Sequence, residues 1–356
     1  MTLSLARRRL FQTIAGGLSL PLGSAGRAAT PDDWSLYCQR FVASDGRVTD
    51  NGNGMQSHSE GQGYGLLFAQ AFDDRATFDR MFVWTEQTLK RPDDALHAWH
   101  YLPDASPHVP DQNNATDGDL LIALALVLAG RRWGRSDLIE SARAIYAALR
   151  AQVVVTVGHR MLLLPGLYGF SSSNHVVINP SYYIMPSLMA ASDLDDHDIW
   201  QRVIHDGLDL LRQGRFGRWN LPPDWMQVTN EVVTIARGHP ARFSYDAVRV
   251  PLYLQWAGLL DADLRSGFMR YWNAWGVGGM PAWVDLRSGM TAPYNAPPGF
   301  YAVGIASGLL DMPGAGNVPF PALAASSNYY SASLTLLSSL ILGGLAYGVV
   351  QQKGAF

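Results

Sequence analysis

The chain has 356 residues with 27 basic and 30 acidic side chains, a formal net charge of −3, and 16% of it is charged, against roughly 25% in an average globular chain. With 48% hydrophobic residues, 11 Trp, 15 Tyr and 13 Phe, it can bury a large core and falls outside the disordered class, and without a basic excess it is a poor match for a nucleic-acid binder. The single cysteine, Cys38, rules out an internal disulfide framework and any multi-Cys metal site.

From the N-terminus, Arg7, Arg8 and Arg9 precede an apolar, Gly-rich stretch from Leu10 to Leu22, and small residues follow to Ala29. That order of charge, apolar run and small residues predicts an export signal over residues 1–29. Arg8-Arg9-Leu10-Phe11 fits a twin-arginine pattern. Its removal takes away four Arg and no acid, which leaves a net charge of −7. A lone cysteine risks no mispairing in an oxidising compartment.

Helical periodicity dominates the rest. It predicts helices near 32–43, 59–73, 75–90, 116–133, 136–151, 181–193, 195–213, 244–259, 261–275, 299–311 and 328–350. Tight junctions at Asp73-Asp74 and Gly134-Arg135 pair some of them, and long Gly-, Pro- and aromatic-rich loops separate the pairs. Val153–Val157 and Met161–Leu164 read as a small hairpin in one loop. The helices that follow the long loops start at Ser59, Thr116, Ser181, Ser244 and Gly299, a spacing near sixty residues. Two helices per period predict an all-α toroid of helical hairpins in one domain, residues 30–356. Its inner helices should be apolar all round, as Leu120–Ala129 and Leu334–Ala346 are. The uncharged segment Ser331–Val350 is twenty residues long, enough to span a bilayer. Its Ser, Thr, Gly and Tyr content favours a buried last helix instead.

Acids gather at the predicted inner-helix starts. Glu60 lies in Ser59-Glu60-Gly61-Gln62-Gly63-Tyr64-Gly65, Asp117 and Asp119 in Thr116-Asp117-Gly118-Asp119, and Asp246 in Ser244-Tyr245-Asp246-Ala247-Val248-Arg249. Each alone fits a first-turn or capping acid. The three glycines after Glu60 cost roughly 1 kcal/mol each, a cost tolerated where a sugar ring or a neighbouring helix comes close. In a toroid the acids face one cleft, and paired carboxylates flanking a sugar are the machinery of glycoside hydrolysis. One must hold a proton for the leaving oxygen and the other must stay ionised to activate water. His97 and His100 lack a third ligand at metal spacing and read as loop residues. No Gly-x-Ser-x-Gly elbow, phosphate loop or dinucleotide fingerprint occurs.

These segments resemble glycoside hydrolase family 8. Ala115–Ala123, continuing to Ala129 and Trp133, matches that family's signature, Ser59–Gly65 its general-acid segment and Ser244–Arg249 its base segment. Asn179-Pro180-Ser181-Tyr182-Tyr183 is similar to another helix start of the family. Within the family the chain most resembles the secreted endoglucanases encoded with bacterial cellulose synthase, through Leu221-Pro222-Pro223-Asp224-Trp225 and its short length. The resemblance implies an (α/α)6 barrel and an inverting endo-β-1,4-glucanase in the periplasm or outside the cell. Its partner would be a cellulose chain, with the cellulose synthase complex beside it, and no cofactor or metal is implied. Glu60 would be the general acid, Asp246 the general base, and Asp117 would hold and distort the sugar. Arg249 would orient the acids, Tyr182 and Tyr183 would meet water or sugar, and Tyr64 would join the substrate-binding set. Trp99 is the best sugar-stacking candidate, with Trp219, Trp225 and Trp283 behind it. Trp34, Trp84, Trp133, Trp200, Trp256, Trp272 and Trp275 lie on helices and read as packing. Tyr329-Tyr330-Ser331 departs from the pattern, since relatives often place an acid there. A non-catalytic glucan-binding factor of the export machinery is the alternative class, and xylan, mixed-linkage glucan and chitosan are the alternative substrates.

Overall fold

The computed structural model of the protein describes residues 28–230, 232–275, 278–310 and 319–345. Most of the predicted export signal lies outside them. The described residues hold eleven α-helices: α1 (Pro31–Phe41), α2 (Ser59–Ala71), α3 (Arg75–Thr88), α4 (Thr116–Trp133), α5 (Ser136–Gln152), α6 (Met185–Leu194), α7 (His197–Gln213), α8 (Val250–Trp256), α9 (Ala262–Asn273), α10 (Pro298–Ala306) and α11 (Tyr329–Leu342). Packing runs α2 to α4, α6, α8, α10, α11 and back to α2, which closes an inner ring of six. Outer helices α1, α3, α5 and α7 lie against α11, α2, α4 and α6, and α9 against α7. This is the expected all-α toroid, the (α/α)6 barrel. Between α10 and α11 the described residues supply a 3-10 turn, Leu323–Ala325.

Burial on every side makes the inner helices apolar all round. In α4 all residues from Thr116 to Val127 are buried. α2 crosses α4 so closely that a Cβ on Gly63 would lie 2.5 Å from that of Leu121. A neighbouring helix, and not a sugar, is therefore what that glycine admits. Hydroxyls of α11 bond within the protein: Ser333 donates to the Tyr329 carbonyl at 2.9 Å and Thr335 to the Ser331 carbonyl at 2.8 Å. α11 stops at Leu342, and among the described residues no helix is long and apolar enough to cross a membrane.

Two helices begin later than their periodicity suggests. α6 follows a 3-10 turn over Pro180–Tyr182, and α8 follows one over Ala247–Arg249. Pro186 and Pro251 stand in the first turns of α6 and α8. Proline lacks the N–H that a longer helix would need there.

Among the described residues nine short strands, all antiparallel, tie the long loops together. They are β1 (Ser57–His58), β2 (His100–Tyr101), β3 (Val154–Val157), β4 (Arg160–Leu163), β5 (Val176–Ile178), β6 (Met226–Val228), β7 (Val233–Ile235), β8 (Arg242–Phe243) and β9 (Val284–Asp285). The expected hairpin is β3–β4, with Val154 opposite Leu163. β1–β2 sets His58 opposite His100 and so brings the Trp99 loop beside the start of α2. β5–β6–β7 joins the loops before Asn179 and after Asp224, and β8–β9 holds Phe243 just before Asp246.

Candidate active site

The N-terminal ends of α2, α4 and α11 and the two 3-10 turns open on one cavity of about 450 Å³. It is lined by Glu60, Asp117, Asp246, Trp99, Tyr182, Tyr245, Tyr329 and Tyr330, among others. Glu60 in the first turn of α2 and Asp117 in that of α4 face the cavity. Gly118 makes the approach possible, because a Cβ there would lie 2.1 Å from Ser59 Oγ and 2.8 Å from the Glu60 nitrogen.

Arg249, 1% exposed, organises the acids. Its Nη1 donates to Glu60 Oε2 and, at 3.1 Å, to Asp117 Oδ2. Its Nη2 donates to Asp246 Oδ1 at 2.9 Å and to Ser181 Oγ at 2.8 Å. The Tyr329 hydroxyl donates to Glu60 Oε1 at 2.6 Å. Of the three side chains Asp246 is the most open, at 31% exposure against 16% for Glu60 and 2% for Asp117. Water therefore reaches Asp246 most easily.

Burial pushes the Asp117 carboxyl up to about 8, with Arg249 pulling it down and the charges of Glu60 and Asp246 pushing further. Burial also raises Asp246, with Glu60 adding to the rise while Arg249 and the Asn179 amide oppose it. Asn179 is wholly buried, its Oδ1 held by the Ser181 nitrogen at 3.0 Å and the Ser181 hydroxyl at 2.7 Å.

The predicted substrate contacts separate in the structure. Trp99 lines the cavity, its ring stacked 6.0 Å from His58 and its Nε1 on Asp111 at 2.8 Å. Tyr182 also lines it, under Arg249. Tyr183 does not: it is 2% exposed, and its hydroxyl accepts the Leu163 N–H at 3.0 Å behind the site. Tyr64 is fully buried beneath the cavity floor, its hydroxyl 2.6 Å from that of Tyr253. Trp219, Trp225 and Trp283 lie outside the cavity lining. Trp225 has Phe170 stacked at 5.8 Å and His239 at 4.7 Å, so neighbouring rings occupy the surfaces a sugar would use. Trp219 packs on Tyr271 and Trp275, and Arg242 covers the Trp283 ring at 3.7 Å. Trp34, Trp200, Trp256 and Trp272 are buried packing, as their helical positions suggest.

Four residues at or behind the cavity had no role in the sequence reading. Tyr329 and Tyr330 reach it from α11, and Tyr330 donates to the Tyr245 carbonyl. Two tyrosines opening a helix after an Asn were the available signal. Asp50 and His58 pair at 3.4 Å on the cavity wall, with the His58 ring stacked between Trp99 and Tyr329. Asp119 turns away from the cavity to His97, whose Nδ1 lies 2.8 Å from it while Nε2 lies 3.2 Å from Glu86. Both ring nitrogens of His97 are thus engaged by carboxylates.

The sequence model of a family described as "Glycosyl hydrolases family 8" matches residues 11–344. The chain is 46% identical over 324 residues to a "Probable endoglucanase" of Novacetimonas hansenii, covering 89% of this chain and 93% of that one. The solved structure of endo-β-1,4-glucanase CMCax from Acetobacter xylinum aligns with a TM-score of 0.83 at 45% identity, over 88% of this chain and 97% of the other. The crystal structure of an endoglucanase from Komagataeibacter sucrofermentans aligns at 0.84 and 45%, over 89% and 99%.

Proposed function

The chain belongs to glycosyl hydrolases family 8, and from that premise we propose that it cuts β-1,4-glucan chains internally, with Glu60 as general acid and Asp246 as general base. The observation that carries this reading is the sharing of one buried guanidinium by three acids, with Glu60 and Asp246 on different nitrogens. Both nitrogens belong to one rigid fork, which sets the two carboxyls side by side on the cavity wall. In an inverting pair the gap between the carboxyls leaves room for a water between base and sugar.

In the reaction Glu60 gives its proton to the glycosidic oxygen as the bond breaks. Asp246, open to the cavity, takes a proton from the water that attacks the opposite face of the sugar. Its raised proton affinity makes it a stronger base. Asp117, pushed up to about 8, carries a proton more readily than an ordinary carboxyl and so can donate to a sugar hydroxyl as well as accept from one. Trp99 offers a flat apolar face to the chain. The names of the similar endoglucanases support β-1,4-glucan as the substrate.

The same reading includes an export signal in residues 1–29, a single catalytic domain after it, and work in the periplasm or outside the cell beside a cellulose synthase complex. The Arg8-Arg9-Leu10-Phe11 pattern and the Leu221–Trp225 loop support it. The test is Glu60→Gln assayed on carboxymethylcellulose and on cello-oligosaccharide binding. Hydrolysis should fall by roughly 10²–10⁴ while binding persists. Near-normal hydrolysis would overturn the assignment.

A further inference from the structure

Beneath the turn that carries Asp246 sits a carboxylate with no part in the reaction described above. Asp224, 7% exposed, lies in the loop between α7 and β6. Its Oδ1 accepts the backbone N–H of Ser244 at 3.0 Å and of Ala247 at 2.9 Å. Its Oδ2 accepts the Ser244 hydroxyl. Asp246 stands between these anchored residues, in neither a strand nor a regular helix.

The anchor is itself fixed. The Asp224 N–H donates to the Arg242 carbonyl at 2.7 Å, and the next residue, Trp225, accepts the Ala236 N–H at 3.0 Å. β8 and the β6–β7 hairpin thus hold Asp224 from two sides. The base must sit within a fraction of an ångström of its water, since a misplacement near 1 Å costs about 10² in rate. A turn has no ladder or helix to supply that precision, and charge-assisted bonds from a buried carboxylate are a stronger substitute than neutral ones.

We propose that Asp224 is a positioning residue for the base: it locks the Ser244–Ala247 turn so that Asp246 keeps one oxygen on Arg249 and stays open to the cavity. The inference rests on the reading of Asp246 as the base. The two carboxyls are in electrostatic contact, because Asp224 is pushed up to about 7 first by burial and next by the charge of Asp246.

The experiment measures kcat and KM on a soluble cello-oligosaccharide for Asp246→Asn, Asp224→Ala, Asp224→Asn and Ser244→Ala, with near-UV circular dichroism as the check of fold. Asp224→Ala should lose kcat by about tenfold or more while KM stays within about twofold. Asp224→Asn should recover most of that loss, since its amide oxygen still accepts both N–H groups. A folded Asp224→Ala with wild-type kcat, or an Asp224→Asn as damaged as Asp224→Ala, overturns the proposal while inactive Asp246→Asn leaves the base assignment standing. An active Asp246→Asn overturns the base assignment itself. Should Asp224→Ala not fold, Ser244→Ala decides: it removes only the hydroxyl donor, and kcat should fall about threefold at constant KM. Wild-type kcat in Ser244→Ala overturns the proposal.

Discussion

Four hydrogen bonds leave the Arg249 guanidinium for Glu60, Asp117, Asp246 and Ser181. A lysine there would offer one point of charge in place of a fork and could not hold Glu60 and Asp246 on separate nitrogens. His97 plays a comparable part for the Trp99 loop. Burial works against its charge, but hydrogen bonds to Asp119 and Glu86 hold its pKa up at about 9. Its backbone N–H also bonds Asp119 at 3.0 Å. A pKa raised by folding stabilises the fold fully below the free value near 6.5 and loses that contribution as pH rises through about 9. His97→Asn should therefore cost about 3 kcal/mol near pH 6. The gap between wild type and variant, read from urea midpoints, should shrink as pH rises from about 6.5 to about 9. A gap that does not change with pH would show that His97 is neutral in the fold. At this scale the acids were legible in the sequence because each sits inside a short local motif. Tyr182 and Tyr183 were not separable, since two adjacent tyrosines leave a 3-10 turn in different directions. Trp225 looked free because Phe170 and His239, which stack on it, lie 55 and 14 positions away.

The meeting of α2 and α4 is what places Glu60 beside Asp117. Gly118 and Gly63 set its distance, and both are occupied by neighbouring atoms rather than open to the cavity. Gly118→Ala should destabilise by about 1–3 kcal/mol through overpacking and lower kcat, because the added methyl meets Ser59 Oγ and the Glu60 nitrogen. A chemical-denaturation curve and a kinetic assay on the same sample check it. Unchanged stability and rate would mean that the two helix ends slide apart without cost. The helices themselves were legible from their 3.6-residue pattern, and the junctions at Asp73 and Gly134 take the left-handed backbone that ends a helix sharply. The late starts of α6 and α8 were encoded by Pro186 and Pro251, but apolar periodicity continues through the 3-10 turns and hides the break. The pairing of β6 with β5 and β7, which fixes Asp224 under the base, joins segments too short to carry a pattern of their own.

For the whole molecule, the inner ring closes through α11 and α2, and all the described inner helices point their N-terminal ends toward one face. Closure explains the low charge of the chain: helices packed on every side leave few positions where a charge can reach water. Most of α11 is buried, and Ser333 and Thr335 bond inside the protein, so its lack of charge belongs to the core. The spacing of helix starts near sixty residues made the toroid legible. The proposed roles of Glu60 and Asp246 make the reaction a single displacement by water. The most direct measurement is proton NMR of the anomer first released from a soluble β-1,4-glucan, followed before mutarotation. Water attacking opposite the leaving group, with Asp246 as base, gives the α-anomer first. The β-anomer appearing first would require a covalent or double-displacement route and would contradict the assignment of Glu60 and Asp246.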